Sequence, residues 1–142
     1  ELVEVDPKTD SVVGRHPLAC GWPHGLLIDA PKRLAFAACE GDAKLLVVDL
    51  GDFQVKQTFS TGKDPDVLAL DSKLERLYVA TESNVVSIFQ LSDRKLEKIE
   101  DLEVEPYAHT VSVDSETHEV YLPLQDVGGH PVLRIMKPSS SE

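Results

Sequence analysis

Pro23-His24-Gly25-Leu26-Leu27-Ile28-Asp29 returns as Pro65-Asp66-Val67-Leu68-Ala69-Leu70-Asp71, and more loosely as Ala108-His109-Thr110-Val111-Ser112-Val113-Asp114. The aspartates that end these segments stand 42 and 43 residues apart, and a charged turn and a second apolar segment follow each copy. A period of about 42 residues built from short apolar segments is typical of propeller blades with four strands each. The repeat therefore indicates the architecture before any single side chain is considered.

The apolar segments are short, continuous and often β-branched, as in Leu45-Leu46-Val47-Val48. Such runs suit strands that are buried on both faces, and no window supplies the roughly ten residues at helical spacing that a helix needs. We therefore predict an all-β chain. The predicted strands cover residues 2–6, 10–14, 26–29, 34–38, 44–50, 54–59, 67–71, 76–81, 85–91, 96–100, 109–114, 119–124 and 132–137.

Grouped by the repeat, these strands predict a β-propeller of about three four-stranded blades. The predicted parts are a half blade at 1–20, blades at 21–60, 61–102 and 103–137, and a disordered tail at 138–142. Such an arc cannot close a ring, because closed propellers have about four to eight blades. We expect its flanks to be covered by missing blades before Glu1 or by a second copy of the chain in a homo-oligomer, and we favour the missing blades.

The composition narrows the range of partners. The chain has 14 Lys plus Arg against 25 Asp plus Glu, a formal net charge of −11. Affinity for nucleic acid depends on cationic side chains, so we expect no nucleic-acid partner. No apolar run approaches the roughly 20 residues of a membrane-spanning helix, so we expect no insertion into a membrane.

Three segments resemble a known repeat. Pro65 to Asp71, Arg76-Leu77-Tyr78-Val79-Ala80-Thr81 and Leu46-Val47-Val48-Asp49 are similar to strands of the YVTN-type β-propeller repeat, with lactonase and virginiamycin B lyase propellers as more distant relatives. The resemblance covers residues 1 to about 137. It implies a secreted or periplasmic location, and it specifies the fold much more strongly than the function.

One repeat position falls where the innermost strands of a propeller reach the central channel. His24, Asp66 and His109 each stand five residues before the repeated aspartate, so we predict that they converge on one rim. Hairpin pairing should add three side chains from the neighbouring strands. The predicted pairs are Cys39 opposite His24, Glu82 opposite Asp66, and Gln125 opposite His109.

These side chains suit a divalent metal ion or a polar ligand. Imidazole binds transition metals, and carboxylate and amide oxygens suit harder cations. We predict His24, Asp66 and His109 as metal ligands, and Glu82 and Gln125 join them in the ligand-binding set. The other interpretation is that polar side chains at a channel mouth only hydrate it or satisfy backbone groups, and we favour this one because the motif lacks its confirming context.

Pro23-His24-Gly25 resembles a stretch of virginiamycin B lyase, and this resemblance makes His24 a candidate general base. His109 is the second candidate catalytic histidine, because it occupies the same repeat position. The rest of a catalytic set is not recognisable in the sequence, so the resemblance rests on these residues alone.

The two cysteines could meet at this rim, because Cys20 lies four residues before His24 and Cys39 is expected across from it. An oxidising compartment permits a disulfide there, and a reducing one permits a Cys/Cys/His metal cluster. A separation of 19 residues fits no zinc motif, so we expect a buried Cys39 and an unpaired Cys20 in a loop. Trp22 is either a stacking platform or, as we expect, packed between blades.

The predicted function rests on a clear repeat without a complete catalytic set. We expect a non-catalytic binding or scaffolding propeller. The alternative is a metal-assisted hydrolase or lyase of the lactonase-like kind at the channel mouth, in which His24, Asp66, Glu82 and His109 act as metal ligands or as acid and base groups.

Overall fold

The computed structural model describes residues 1–139 and contains thirteen strands in four antiparallel sheets. Residues 140–142 of the predicted tail lie outside the described residues. Within 1–139 there is no α-helix, only a 3-10 turn at Glu40–Asp42, and no helix long and apolar enough to cross a bilayer. The all-β prediction is confirmed. The strands are β1 (Leu2–Asp6), β2 (Ser11–His16), β3 (Pro23–Asp29), β4 (Leu34–Cys39), β5 (Lys44–Asp49), β6 (Gln54–Ser60), β7 (Pro65–Asp71), β8 (Arg76–Thr81), β9 (Val85–Ser92), β10 (Lys95–Glu103), β11 (Ser112–Asp114), β12 (Glu119–Val127) and β13 (His130–Met136).

Every sheet is a meander in which consecutive strands pair. The sheets are β1–β2, β3–β6, β7–β10 and β11–β13, with two, four, four and three strands. β3 contacts β7, and β7 contacts β11, so the first strands of the three larger sheets lie side by side. These three strands are therefore the innermost ones of an arc of sheets, and their starting ends form one rim of it.

Apolar layers between successive sheets hold the arc together. Phe36 and Val47 of one sheet belong to the same fully buried cluster as Leu77 and Phe89 of the next. A second cluster joins the β7–β10 sheet to β11–β13. Burying one such side chain contributes about 1.5–3 kcal/mol, so the packing of each sheet on its neighbour is the main source of stability.

The repeated aspartates lie at the end of the innermost strands opposite the rim. Their carboxylates accept backbone N–H groups of the turn that follows, which gives them the structural role expected of Asp before a turn. The bonds are Lys32 N–H to Asp29 at 3.2 Å, Lys73 and Leu74 N–H to Asp71 at 3.0 Å each, and Glu116 N–H to Asp114 at 2.8 Å.

Most strands differ from their predicted extents, and the largest differences are three residues at one end of β3, β10, β11 and β12. β10 continues to Glu103, three residues beyond its predicted end at residue 100. β11 is only three residues long and starts at Ser112, which leaves His109 in the segment before it.

The two flanks of the arc leave apolar side chains uncovered. Leu26 of β3 is 53% exposed, whereas Leu68 and Val111 at the same repeat position are 9% and 4% exposed. On the other flank, Leu133 and Ile135 of β13 are exposed as well. Leu26 lacks the sheet that Leu68 packs against, because β1–β2 supplies only two strands on that side.

Candidate functional site

One carboxylate and two imidazoles meet at the rim. The Nδ1 atoms of His24 and His109 lie 3.3 and 3.1 Å from the two carboxylate oxygens of Asp66. His24 belongs to β3, Asp66 to β7, and His109 lies just before β11, so each side chain comes from a different repeat. The structure therefore brings together the three residues that the repeat aligns.

Two glutamates flank this row. Nδ1 of His24 is 3.6 Å from Oε2 of Glu40, and Nδ1 of His109 is 3.9 Å from Oε1 of Glu82. The rim cluster is defined here as His24, Glu40, Asp66, Glu82 and His109. The sequence prediction missed Glu40, although it stands 42 residues before Glu82 and thus at the same repeat position.

The rim cluster carries three carboxylates that have only histidines as ion-pair partners. No Lys or Arg nitrogen of residues 1–139 lies within 4.0 Å of the carboxylates of Glu40, Asp66 or Glu82. Lys63, the basic residue nearest to Asp66 in sequence, forms no ion pair with any of these three carboxylates within residues 1–139. Since the protein also has a net charge of −11, the rim attracts cations.

Gly25 allows β3 and β7 to approach closely enough for this arrangement. A Cβ at Gly25 would lie 1.8 Å from the carbonyl oxygen of Asp66 and 2.6 Å from Cδ1 of Leu68. Any other residue would force the strands apart. The glycine thus places His24 next to Asp66.

Cys39 does not lie opposite His24 as predicted. Its pairing partner in the sheet is Pro23, because an extra residue in β3 between Pro23 and Leu26 shifts the register. The following residue, Glu40, reaches His24 instead. A β-bulge of this kind cannot be read from hairpin length, which explains the error.

Gln125 is not part of the rim cluster. It lies exposed in β12 and forms no hydrogen bond with His109 among the bonds within residues 1–139. The predicted pairing fails because β11 does not extend back to His109.

Cys20 and Cys39 form a disulfide, so the expectation of an unpaired Cys20 is wrong. Cys39 is fully buried, as predicted. With both sulfurs bonded to each other, neither is a thiolate ligand, and a Cys/Cys/His metal cluster does not fit. The bond ties the segment before β3 to the end of β4, next to His24.

Two aromatic residues are bonded to the rim cluster through their backbones. The backbone carbonyl of Trp22 accepts the N–H of Glu40 at 3.0 Å, and the N–H of Tyr107 donates to the carbonyl of Glu82 at 3.3 Å. Trp22 is 75% exposed, so the expectation that it packs between blades is wrong. Trp22 lies just before β3 with a φ of 47°, and no signal in the sequence predicts this left-handed backbone.

The rim cluster also contains a group of suitable metal donors. The nearest donor atoms of Asp66, Glu82 and His109 all lie within 4.8 Å of one another. A histidine with two carboxylates, open to solvent, matches sites in which three protein ligands leave a further position free. These residues therefore fit a divalent transition metal, with small side-chain movements to bring the donors to bonding distance.

No protein-family model matches the chain, and no curated protein matches its sequence. Solved structures do match its fold. A Bacteroides fragilis protein assigned as a 6-phosphogluconolactonase superposes with a TM-score of 0.76 at 13% identity, over 96% of this chain and 44% of that chain. Dihydro-heme d1 dehydrogenase NirN gives a TM-score of 0.72 at 16% identity, over 97% of this chain and 30% of that one. The β-propeller domain of Cps50 (Swd1) from Myceliophteria thermophila gives 0.64 at 12%, over 84% and 40%.

These likenesses define the class of protein: the chain has the β-propeller fold, and the propeller prediction is confirmed. Identities this low show the fold alone. The chain spans less than half the length of each of these three structures. The resemblance to the YVTN-type repeat in particular stays a prediction.

Proposed function

We propose that this protein is a non-catalytic β-propeller that binds a ligand at the rim cluster. The observation that carries the proposal is the Asp66 carboxylate, which is shared between His24 and His109 from the two neighbouring repeats. Polar groups that converge from separate rigid elements are typical of a binding site. Their partial exposure leaves them accessible to a ligand.

Binding is favoured over catalysis by what surrounds these groups. Asp66 is already engaged by two imidazoles, and each imidazole has a glutamate as its second neighbour. No serine or cysteine nucleophile forms a hydrogen bond with His24 or His109 within residues 1–139. An arrangement of mutually satisfied polar groups is suited to holding a ligand in place.

A fragment screen followed by NMR tests this proposal. Small anionic, neutral and cationic compounds are added to the labelled chain, and shifts of amide resonances are mapped. We expect the perturbed amides of the binders to cluster at Trp22 to Gly25, Asp66 and His109, and to be lost in Asp66→Asn. Glu97→Gln on β10 serves as the control. Perturbations confined to the outer strands β6 and β10 would contradict a binding site at the rim.

A metal-assisted hydrolase or lyase is the second candidate, favoured by the proximity of the Asp66, Glu82 and His109 donors. In this role a bound divalent ion would polarise a substrate oxygen or activate a water molecule. His24, on the other side of Asp66, would then be placed to exchange a proton. Elemental analysis separates the two candidates: stoichiometric metal that is lost in His109→Ala supports the enzyme, and a metal-free protein that binds ligand excludes it.

The partner proposed for the open arc is a further set of propeller blades, with a second copy of the chain as the alternative. Leu26 and Ile28 on one flank repeat the positions of Leu68 and Leu70, which pack on the preceding sheet. Their exposure therefore supports the packing of a further sheet on this flank. The protein's activity in the complete ring depends on what this partner adds to the rim.

The YVTN-type resemblance and a secreted or periplasmic location complete the proposal. The segment Arg76 to Thr81 supports the resemblance. The disulfide between Cys20 and Cys39 supports an oxidising compartment.

A further inference from the structure

The only two exposed aromatic side chains of residues 1–139 belong to residues that are bonded through their backbones to the rim cluster. The chain has eight aromatic residues, counting four Phe, three Tyr and one Trp. Trp22 and Tyr107 are 75% and 58% exposed, and the other six are buried or partly buried. A large aromatic surface is normally removed from water because its burial is favourable, so two exposed rings beside one cluster indicate a use for them.

Trp22 and Tyr107 occupy the same position in two repeats, and the third position is Asp64. The three stand 42 and 43 residues apart, each two residues before a rim residue. All have left-handed backbone, with φ of 47°, 53° and 62° in chain order. Bulky residues are uncommon in this conformation, which favours glycine or asparagine. The local backbone conformation therefore does not explain why aromatic residues occupy these two positions.

The rim cluster supplies the charge that would accompany these rings. Within residues 1–139 the carboxylates of Glu40, Asp66 and Glu82 have only imidazoles as ion-pair partners, and Trp22 and Tyr107 are among the residues that hydrogen-bond to the backbones of Glu40 and Glu82. Carboxylates next to exposed aromatic faces recognise organic cations, because the face of an aromatic ring attracts a cation and the carboxylate adds a full charge.

We propose that the ligand of the rim is an organic cation, a protonated or quaternary amine, held by the rim carboxylates and by the aromatic rings of Trp22 and Tyr107. This inference rests on the proposed function and names its ligand class. A metal ion would use the carboxylates and His109 but would leave the two aromatic rings without a role. An anionic ligand would face three carboxylates that have no Lys or Arg ion-pair partner within residues 1–139.

Trp22 provides the readout, because it is the only tryptophan of the chain and is exposed at the site. Its emission is followed in protein freed of metal by EDTA, while choline, a quaternary amine, is titrated in. The matched probe is 3,3-dimethylbutan-1-ol, which has the same shape without the charge. We expect a saturable change of Trp22 emission with choline, and a much weaker one with the neutral probe.

Variants assign the contacts by NMR titration with choline. Asp66→Asn should raise the dissociation constant about threefold or more, since a charge partner of the ligand is lost. Tyr107→Ala should raise it about two- to fivefold, and Tyr107→Phe should leave it unchanged because the ring is kept. Glu97→Gln, an exposed carboxylate on β10, is the control, and thermal unfolding checks that each variant is folded.

These experiments distinguish failure of the organic-cation proposal from failure of ligand binding at the rim. Equal binding of choline and its neutral analogue, binding that is indifferent to Asp66→Asn, or no binding of choline overturns the organic-cation proposal. If neutral or anionic fragments nevertheless perturb the rim amides, ligand binding at the rim stands and only the ligand class is wrong. If no fragment perturbs the rim, both proposals fall.

Discussion

Gly25 lies against the backbone of Asp66 so closely that a Cβ on the glycine would be 1.8 Å from the carbonyl oxygen of Asp66. This contact joins β3 to β7 at the point where His24 and Asp66 meet. The geometry of the rim cluster therefore depends on the absence of a side chain at Gly25.

Gly25→Ala is therefore expected to push β3 away from β7 and to separate His24 from Asp66. Overpacking of this kind costs typically about 1–3 kcal/mol, so chemical denaturation should show a loss of stability, and choline binding should weaken. Gly21→Ala is the matched control, because a Cβ there would be 3.4 Å from its nearest neighbour, an ordinary contact. Equal stability of the two variants would show that the strands can move apart without cost.

Removal of the disulfide is expected to destabilise the protein. Cys20 and Cys39 are 19 residues apart, and closing a loop of about that size stabilises a fold by about 3 kcal/mol in the chain-entropy model. The double variant Cys20→Ser/Cys39→Ala should lose stability by that order in urea unfolding, and a reducing agent should have the same effect on the wild type. The reducing agent should not affect the double variant, and if it does, the cause is not the disulfide.

Asp71 should matter more for stability than the aspartates at the same position in the other repeats. It is fully buried and accepts two backbone N–H groups, and its Oδ2 lies 2.8 Å from Nδ1 of His118 in the turn between β11 and β12. Asp71→Ala leaves these donors unsatisfied in the interior and is expected to cost about 2 kcal/mol. Asp114→Ala, on a less buried turn, should cost under about 1 kcal/mol. Thermal or urea unfolding of the two variants gives the comparison, and similar losses would contradict the role of burial.

The stability of the fold should fall in acid partly through Asp49. The backbone N–H of Gly51, and then the guanidinium of Arg94 at 2.7 Å, hold the pKa of Asp49 below its ordinary value of 3.8. A lowered folded pKa means that this contribution is present above about pH 4 and is lost as the pH falls through the folded pKa. Melting temperatures across this range should show that Asp49→Asn is less stable than wild type near neutral pH and that the difference narrows in acid. A constant difference would contradict the role of the ionised carboxylate.

The uncovered flanks predict association through Leu26. If the partner is a second copy, light scattering should give twice 15.6 kDa, and Leu26→Glu and Leu133→Glu should each reduce the mass to that of one chain. Ile99→Glu is the control, since Ile99 is exposed on β10, in a sheet with neighbours on both sides. A stable, folded monomer of the wild-type chain would rule out the second copy and show that the flanks tolerate water.

The repeat predicts the sheets because the alternation of short strands and turns is local, and each turn carries its own aspartate. It also aligns His24, Asp66 and His109, since equal positions in successive repeats fall at equal heights on neighbouring innermost strands. The repeat does not predict local irregularities of the backbone. Because of the extra residue in β3, Glu40 rather than Cys39 lies next to His24. Trp22 and Tyr107 have left-handed backbone and exposed side chains, whereas their residue types alone would assign them to a core.

The rim cluster takes its side chains from three repeats whose sheets are otherwise joined only to their immediate neighbours. Any ligand that needs all three can bind only when both intersheet packings are intact. A ligand bound at the rim cluster would therefore hold the three sheets together. A ligand at 100 times its dissociation constant adds about 2.7 kcal/mol to the stability of the state that binds it. The unfolding temperature of the protein therefore reports whether the rim cluster has bound a ligand, whatever the ligand's chemistry.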